Sequence, residues 1–105
     1  MKAKEQDTIL IALGGNALSS PHGKGSIEEQ IEAIGRSCQQ IARIVKGGAR
    51  VVLTHGNGPQ VGQLLIQQEQ GKALVPPLPL DVCGAMTQGQ IGYLLQQALA
   101  QALRA

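Results

Sequence analysis

Two short loops carry glycine and asparagine in similar arrangements: Gly14, Gly15 and Asn16 in the first, and Gly56, Asn57 and Gly58 in the second. Because glycine has no Cβ, the backbone of such a loop can approach a ligand and direct successive N–H groups at it. Asparagine adds an uncharged amide donor for phosphate or carboxylate oxygens. Taken singly, each loop is more typical of a tight turn. Together they predict two anionic groups bound side by side, as phosphoryl transfer requires.

Each loop directly follows a predicted strand. The aliphatic run Thr8–Leu13 is continuous, which is typical of a strand buried on both faces, and residues Arg50 to Thr54 form a second such run. A helix between the two makes a βαβ unit, whose strands are parallel. Both loops should therefore open on the same edge of the sheet, at the carboxyl ends of the strands, where α/β sheets bind ligands.

The helix between the strands has a recognisable start and end. Ser26 followed by Glu29 fits a capping box after a polar loop over residues 19–25, and Gly47 with Gly48 fits a helix end. Spacings of three and four predict one buried apolar stripe, formed by Ile27, Ile31, Ile34, Cys38, Ile41 and Val45. The polar residues between them should face solvent.

Two further helices are predicted, over residues 60–70 and from Asp81 to the chain end, with a proline-rich connector between them. The last helix is apolar on more than one side, with Val82, Met86 and Tyr93 on one and Ile91, Leu95, Ala98 and Ala102 on another. Such a helix, and a sheet of two parallel strands, both need more neighbours. We therefore expect the 105 residues to be part of a larger domain.

Composition excludes several classes of protein. The chain is 43% hydrophobic and 15% charged with a net charge of +2, which argues against disorder and against a nucleic-acid partner. Residues 1–7 are polar, and no apolar run in the sequence is long enough to span a membrane. We therefore expect no membrane partner. Two cysteines without framework spacing favour a reducing, cytoplasmic compartment.

Other candidate residues carry less information. Lys24 is a candidate phosphate contact, although a lone lysine in a polar loop is usually solvated, as we also expect for His22. His55 could be a general acid or base but more typically bonds a loop backbone, and Cys38 belongs to the core. Neither the phosphate-loop motif nor the dinucleotide fingerprint is present, and no metal-ligand spacing is found.

Three motifs in order resemble the carbamate kinase family of the amino acid kinase superfamily: residues 11–17 (IALGGNA), 54–62 (THGNGPQVG) and 79–93 (PLDVCGAMTQGQIGY). The resemblance implies a three-layer α/β/α sandwich with a mainly parallel sheet, of which residues 1–105 are the N-terminal, substrate- and phosphoryl-binding part. It implies reversible phosphoryl transfer from ATP to carbamate, giving carbamoyl phosphate and ADP, with Mg²⁺. It also implies a cytoplasmic homodimer in the full-length form and a role in arginine metabolism.

On the matching positions, the resemblance places the transferred phosphoryl group on Gly14, Gly15 and Asn16, and carbamate on Gly56, Asn57 and Gly58. The family's nucleotide-binding half and its catalytic lysines lie downstream of the residue that matches Ala105. No catalytic residue is therefore expected among these 105, and we expect the chain alone to be inactive. Two alternatives remain: a paralogue acting on another small carboxylate-like acid, and a non-catalytic remnant that binds a partner chain.

Overall fold

The computed structural model describes residues 7–20 and 22–105, so the polar N-terminal residues 1–6 and Pro21 of the predicted loop lie outside the described residues. In that part of the chain the elements follow one another as β1 (Thr8–Leu13), α1 (Gly15–Leu18), α2 (Ile27–Lys46), β2 (Arg50–His55), α3 (Gly58–Gly71) and α4 (Leu80–Arg104). The predicted strands and longer helices are confirmed, with ends that differ by two residues or fewer.

The two strands pair in parallel, from Thr8 opposite Arg50 to Leu13 opposite His55, which confirms the βαβ unit. Only one face of this sheet is covered. The side chains of Leu10 and Val52 are 67% and 49% exposed on the other face. The prediction of strands buried on both faces was therefore wrong for the described residues, since their helices pack on one side only.

The core lies between the covered face of the sheet and three helices. Its buried members are Leu13 of β1, Leu18 of α1, Ile34, Cys38 and Ile41 of α2, and Ile91 and Leu95 of α4. The helix α3 packs against α4. The α/β class with a parallel sheet is thus confirmed, and the described residues form a sheet with helices on one of its faces. No helix in this part of the chain is long and apolar enough to cross a membrane.

The start of α2 differs in one detail from the predicted capping box. The Ser26 hydroxyl accepts a hydrogen bond from the Glu29 N–H at 3.2 Å, as expected. The Glu29 carboxylate does not return to Ser26 but accepts from the N–H groups of Lys24 and Gly25, both at 3.1 Å. Glu29 therefore holds the preceding turn against the helix, because that turn offers two donors together.

The buried stripe of α2 is rotated from the one that spacing predicts. Ile27 and Ile31 are 45% and 53% exposed, whereas the small or polar residues Gln30, Ala33 and Ala42 are buried. Close packing of α2 on α1 and α4 favours these residues where the backbones approach. Hydrophobicity alone does not distinguish a core-facing isoleucine from one left at the edge of this contact.

The first glycine loop contains one helical turn that the sequence did not predict. The N–H groups of Ala17 and Ser19 donate to the carbonyl oxygens of Gly14 and Gly15, at 3.1 and 2.9 Å. Leu18 is buried in the core, 2% exposed. Tertiary burial of this side chain stabilises a turn whose sequence has weak helix propensity.

Candidate anion-binding site

The two glycine loops lie side by side. Leu13 and His55 are the last paired residues of the strands. One residue further on, the Gly56 N–H donates to the Leu13 carbonyl oxygen at 3.1 Å, so the second loop begins hydrogen-bonded to the end of the first strand. The structure thus brings all six sequence-predicted site residues to one edge of the sheet.

The glycines of the two loops are not required by the backbone. Gly14, Gly15, Gly56 and Gly58 all lie outside the left-handed region of φ, and a Cβ added at any of them would meet no atom within 4 Å. Tight turns that depend on glycine have a positive φ or a crowded Cβ. Neither applies here, so the space beside these residues fits the close approach of a ligand to the backbone.

The first loop ends in an exposed side chain. Asn16 lies in α1 with its amide free to meet a ligand from solvent. Behind it, the Ser37 hydroxyl of α2 donates to the Ala17 carbonyl oxygen at 3.0 Å, which ties the loop to the longer helix. The loop is therefore fixed through its backbone, and its polar side chain takes no part in the packing.

The second loop is fixed through its side chain. Asn57 is the N-cap residue of α3, yet it makes no capping hydrogen bond. Its Nδ2 instead donates to the Thr87 hydroxyl of α4 at 2.9 Å, and this hydroxyl donates to the Gly84 carbonyl oxygen at 2.7 Å. Thr87 is fully buried. Sequence reasoning missed Thr87, although it lies in the third motif, because a threonine within an amphipathic helix gives no periodic pattern.

The Asn57 side chain leaves the first turn of α3 without a cap, although Gln60 in that turn is buried, 2% exposed. Gly58 and Gln60 provide N–H groups in the first turn of this 14-residue helix, and Pro59 between them has none. No backbone or side-chain acceptor for these two N–H groups is found among the described residues. The partial positive charge of a helix N terminus favours an anion at this position.

The predicted phosphate contact Lys24 lies on the turn that precedes α2, and its side chain is exposed. Gly25, its neighbour, has φ of +74°. The Gly25 carbonyl oxygen accepts from the side-chain amides of Gln30 and Gln63, at 3.1 and 2.9 Å. The turn is thus held to α2 and α3, and within the described residues no hydrogen bond joins the Lys24 side chain to either glycine loop.

Histidine and cysteine take structural positions. The His55 Nδ1 lies 3.0 Å from the Gly56 carbonyl oxygen, which fits the backbone-bonding role expected for it. His22 is exposed. Burial of Cys38 raises the pKa of its thiol above the usual value, so this thiol stays protonated and unreactive at neutral pH.

The donors that the two glycine loops offer are neutral. Neither glycine loop contains a charged side chain. Within residues 7–20 and 22–105, no group of three or more His, Cys, Asp or Glu side chains could hold a metal ion. Backbone N–H groups, asparagine amides and a helix N terminus can orient two small anions, but they cannot neutralise them.

Comparison with known proteins shows the family of the chain. The amino acid kinase family model matches residues 7–103. Carbamate kinase from Pyrococcus furiosus is 52% identical over 98 residues, which cover 91% of this chain and 31% of that protein. Carbamate kinase from Trichomonas vaginalis is 51% identical over 98 residues, 92% of this chain and 31% of that protein. The chain thus spans about a third of the length of these relatives.

A solved structure extends the likeness to three dimensions. Carbamate kinase from Giardia lamblia bound to AMP-PNP superposes with a TM-score of 0.89 at 44% sequence identity, covering 96% of this chain and 35% of that one. The resemblance inferred from the three motifs is confirmed, and the structure matches part of that enzyme's fold. The chain belongs to the amino acid kinase family and resembles the carbamate kinases within it.

Proposed function

We propose that this chain is the substrate-binding part of a carbamate kinase, which transfers a phosphoryl group reversibly between ATP and carbamate. The observation that carries the proposal is the pair of adjacent loops whose glycines have room beside them that the fold does not need. High identity to carbamate kinases supports the choice of carbamate as the acceptor. The acceptor and the phosphoryl group would then lie side by side along the edge of the sheet.

The loops would divide the reactants between them. The backbone of Gly14 and Gly15, with the Asn16 amide, would orient the transferred phosphoryl group. The Gly56–Gly58 loop and the start of α3 would hold the planar anion of carbamate. Positioning of two reactants accounts for a large part of phosphoryl-transfer catalysis, because the transition state needs little covalent help.

The reaction also needs positive charge that these residues do not supply. Mg²⁺ bound to the nucleotide would neutralise phosphate charge, but neither loop offers a carboxylate, so the residues that the structure describes do not fit a magnesium site of their own. Lysines and the nucleotide site would come from the part of the family fold outside this chain. We propose a cytoplasmic homodimer for the full-length enzyme and little activity for the 105 residues alone.

A chimera tests the proposal. The chain replaces the matching third of the Pyrococcus furiosus enzyme, with which it is 52% identical over 98 residues. ATP formation from carbamoyl phosphate and ADP is measured for the chimera, for the parent enzyme and for the chain alone. We expect the chimera to keep about a tenth or more of the parent's kcat/KM, and the chain alone to lose several orders of magnitude. A folded but inactive chimera, or an active isolated chain, would contradict the proposal.

A paralogue acting on another small acid is tested in the same chimera. Acetate and bicarbonate are offered with ATP in place of carbamate, and ADP formation is followed. Preference for either acid over carbamate would favour the paralogue, because a site built for hydrogen bonding strongly rejects a ligand lacking its partner groups.

The open face of the sheet favours one further candidate, a chain that docks onto a partner without catalysis. Leu10 and Val52 are exposed on that face, and Tyr93 is 62% exposed on α4. Exposed apolar surface of this kind seeks a partner. Light scattering after size exclusion tests the candidate on the purified chain. A monomer that unfolds cooperatively would count against it, whereas a defined oligomer would support it.

A further inference from the structure

Asn57 lies between the two glycines of the second loop, and its side chain is hydrogen-bonded at one end only. Its Nδ2 donates to the Thr87 hydroxyl of α4 at 2.9 Å, whereas its Oδ1 meets no donor among the described residues. The residue is half-buried. Gln60 Oε1 is the one side-chain oxygen in this part of the chain that is sealed from solvent without a donor. The Asn57 Oδ1 is therefore an unused acceptor that a ligand can reach.

Thr87 decides which end of the Asn57 amide is left free. Its hydroxyl oxygen lies 2.7 Å from the Gly84 carbonyl oxygen, and two oxygens at this distance need a proton between them. Only the hydroxyl has a proton, so it donates to Gly84 and must accept from Asn57. A reversed amide would set two acceptors without a proton against each other. Because Thr87 is fully buried, water cannot relieve that contact.

We propose that Thr87 is a positioning residue that orients the Asn57 amide so that Oδ1 accepts a hydrogen bond from an N–H group of the substrate. The proposal rests on the proposed function, since the substrate is that of the same site. Carbamate carries an NH₂ group beside its carboxylate, so it needs an acceptor as well as donors. Backbone N–H groups suit its oxygens, and the Asn57 Oδ1 suits its NH₂ group.

The consequence is selection between substrates of the same shape. Acetate has a methyl group where carbamate has NH₂, and a methyl group would leave Oδ1 without water and without a donor. A site built around a hydrogen bond rejects such an analogue for this reason. Without the Thr87 acceptor, the Asn57 amide is free to turn, and the selection is lost. A Thr87 with a merely structural role would weaken all ligands alike and leave the ratio of their affinities unchanged.

The test uses two acyl phosphates that differ only in this group. Carbamoyl phosphate carries NH₂ where acetyl phosphate carries a methyl group, and each is titrated by NMR against the 105-residue chain and its variants. Thr87→Val removes the acceptor for Asn57 at nearly constant volume, and Thr87→Ser keeps it. Thr8→Val makes the same chemical change at an exposed residue of β1 and is the matched control.

We expect the wild type to bind carbamoyl phosphate about tenfold more tightly than acetyl phosphate, the scale of one hydrogen bond. Thr87→Val should lose most of this preference, Thr87→Ser should restore it, and Thr8→Val should keep it. The Asn57 NH₂ protons should exchange faster with solvent in Thr87→Val, because their bond to α4 is gone. A Thr87→Val variant that keeps the full preference would overturn the proposal.

A second variant keeps the test decisive if Thr87→Val does not fold. Asn57→Ala removes Oδ1 and leaves the bond from Thr87 to Gly84 in place. We expect weaker binding of carbamoyl phosphate, little change for acetyl phosphate and loss of the preference. Retention of the preference by Asn57→Ala would overturn the proposal. If the wild type binds neither phosphate, the proposed function fails and this inference fails with it, whereas binding of both without preference overturns this inference alone.

Discussion

Two sets of glycines in this chain look alike in the sequence and differ in the structure. Gly25 and Gly48 have φ values of +74° and +103°, a conformation that L side chains rarely adopt. The glycines of the two strand-end loops have ordinary φ values and empty space where a Cβ would lie. The first set is needed for folding. The backbone does not need the second set, and the empty space beside it is what we expect where a ligand approaches a loop.

The largest expected effect comes from filling the space at the strand ends. Gly15→Ala and Gly56→Ala place a methyl group where the substrate would approach, without meeting a protein atom. In the chimera with the Pyrococcus furiosus enzyme, we expect each substitution to lower kcat/KM about a hundredfold. This is comparable with the loss of one hydrogen-bond donor to the transition state. The melting temperature should stay within a few degrees of the unsubstituted chimera. Unchanged kcat/KM would place these glycines with the turn glycines.

Gly25→Ala should show the opposite behaviour. Its positive φ is costly for alanine, and the added Cβ would collide with the Gln63 amide, which then loses its bond to the Gly25 carbonyl oxygen. We expect the free energy of unfolding to fall by about 1–2 kcal/mol, measured by urea denaturation of the 105-residue chain. Gly35→Ala, in the middle of α2 with open space around it, is the matched control. It should stabilise the chain by roughly 0.5–1 kcal/mol.

Ser26→Ala tests whether the turn at Gly25 and the start of α2 act as one unit. The Ser26 hydroxyl caps the Glu29 N–H. Loss of such a cap costs about 1 kcal/mol. In the background of Gly25→Ala the cost should be smaller, because that substitution already disturbs the turn whose N–H groups donate to the Glu29 carboxylate. Fully additive losses in a double-mutant cycle would show that the turn and the cap are independent.

The smallest expected effect concerns Cys38. Because this thiol is buried, the rate at which a thiol reagent labels it reports on opening of the core. Burial raises the thiol pKa in the folded state, so the resulting stability is present below the usual cysteine pKa. It is lost as the pH rises through the folded-state pKa. We expect labelling to be slow at pH 7 and to accelerate as the pH rises through the raised pKa of the Cys38 thiol. At pH 7, Gly25→Ala should speed the labelling several-fold and Gly56→Ala should not, with a Cys83→Ser background isolating the Cys38 signal.

Local patterns in the sequence predicted much of the fold. The aliphatic runs of β1 and β2 and the Ser26 cap of α2 depend on neighbours in the chain, and each was predicted within two residues. The rotated stripe of α2 was not predicted, because Gln30 is buried through contacts with residues more than 30 positions away. Its Oε1 accepts from Gln90, for example, at 3.1 Å.

The chain by itself determined the site's composition and its place at the ends of two strands, since parallel strands joined by a helix must end at one edge. The motifs also determined the family, which the comparisons confirmed. Only the tertiary structure decided which glycines the backbone needs and which way Asn57 faces. The first depends on φ and on surrounding atoms, and the second on a hydroxyl 30 residues away that is already committed to another carbonyl.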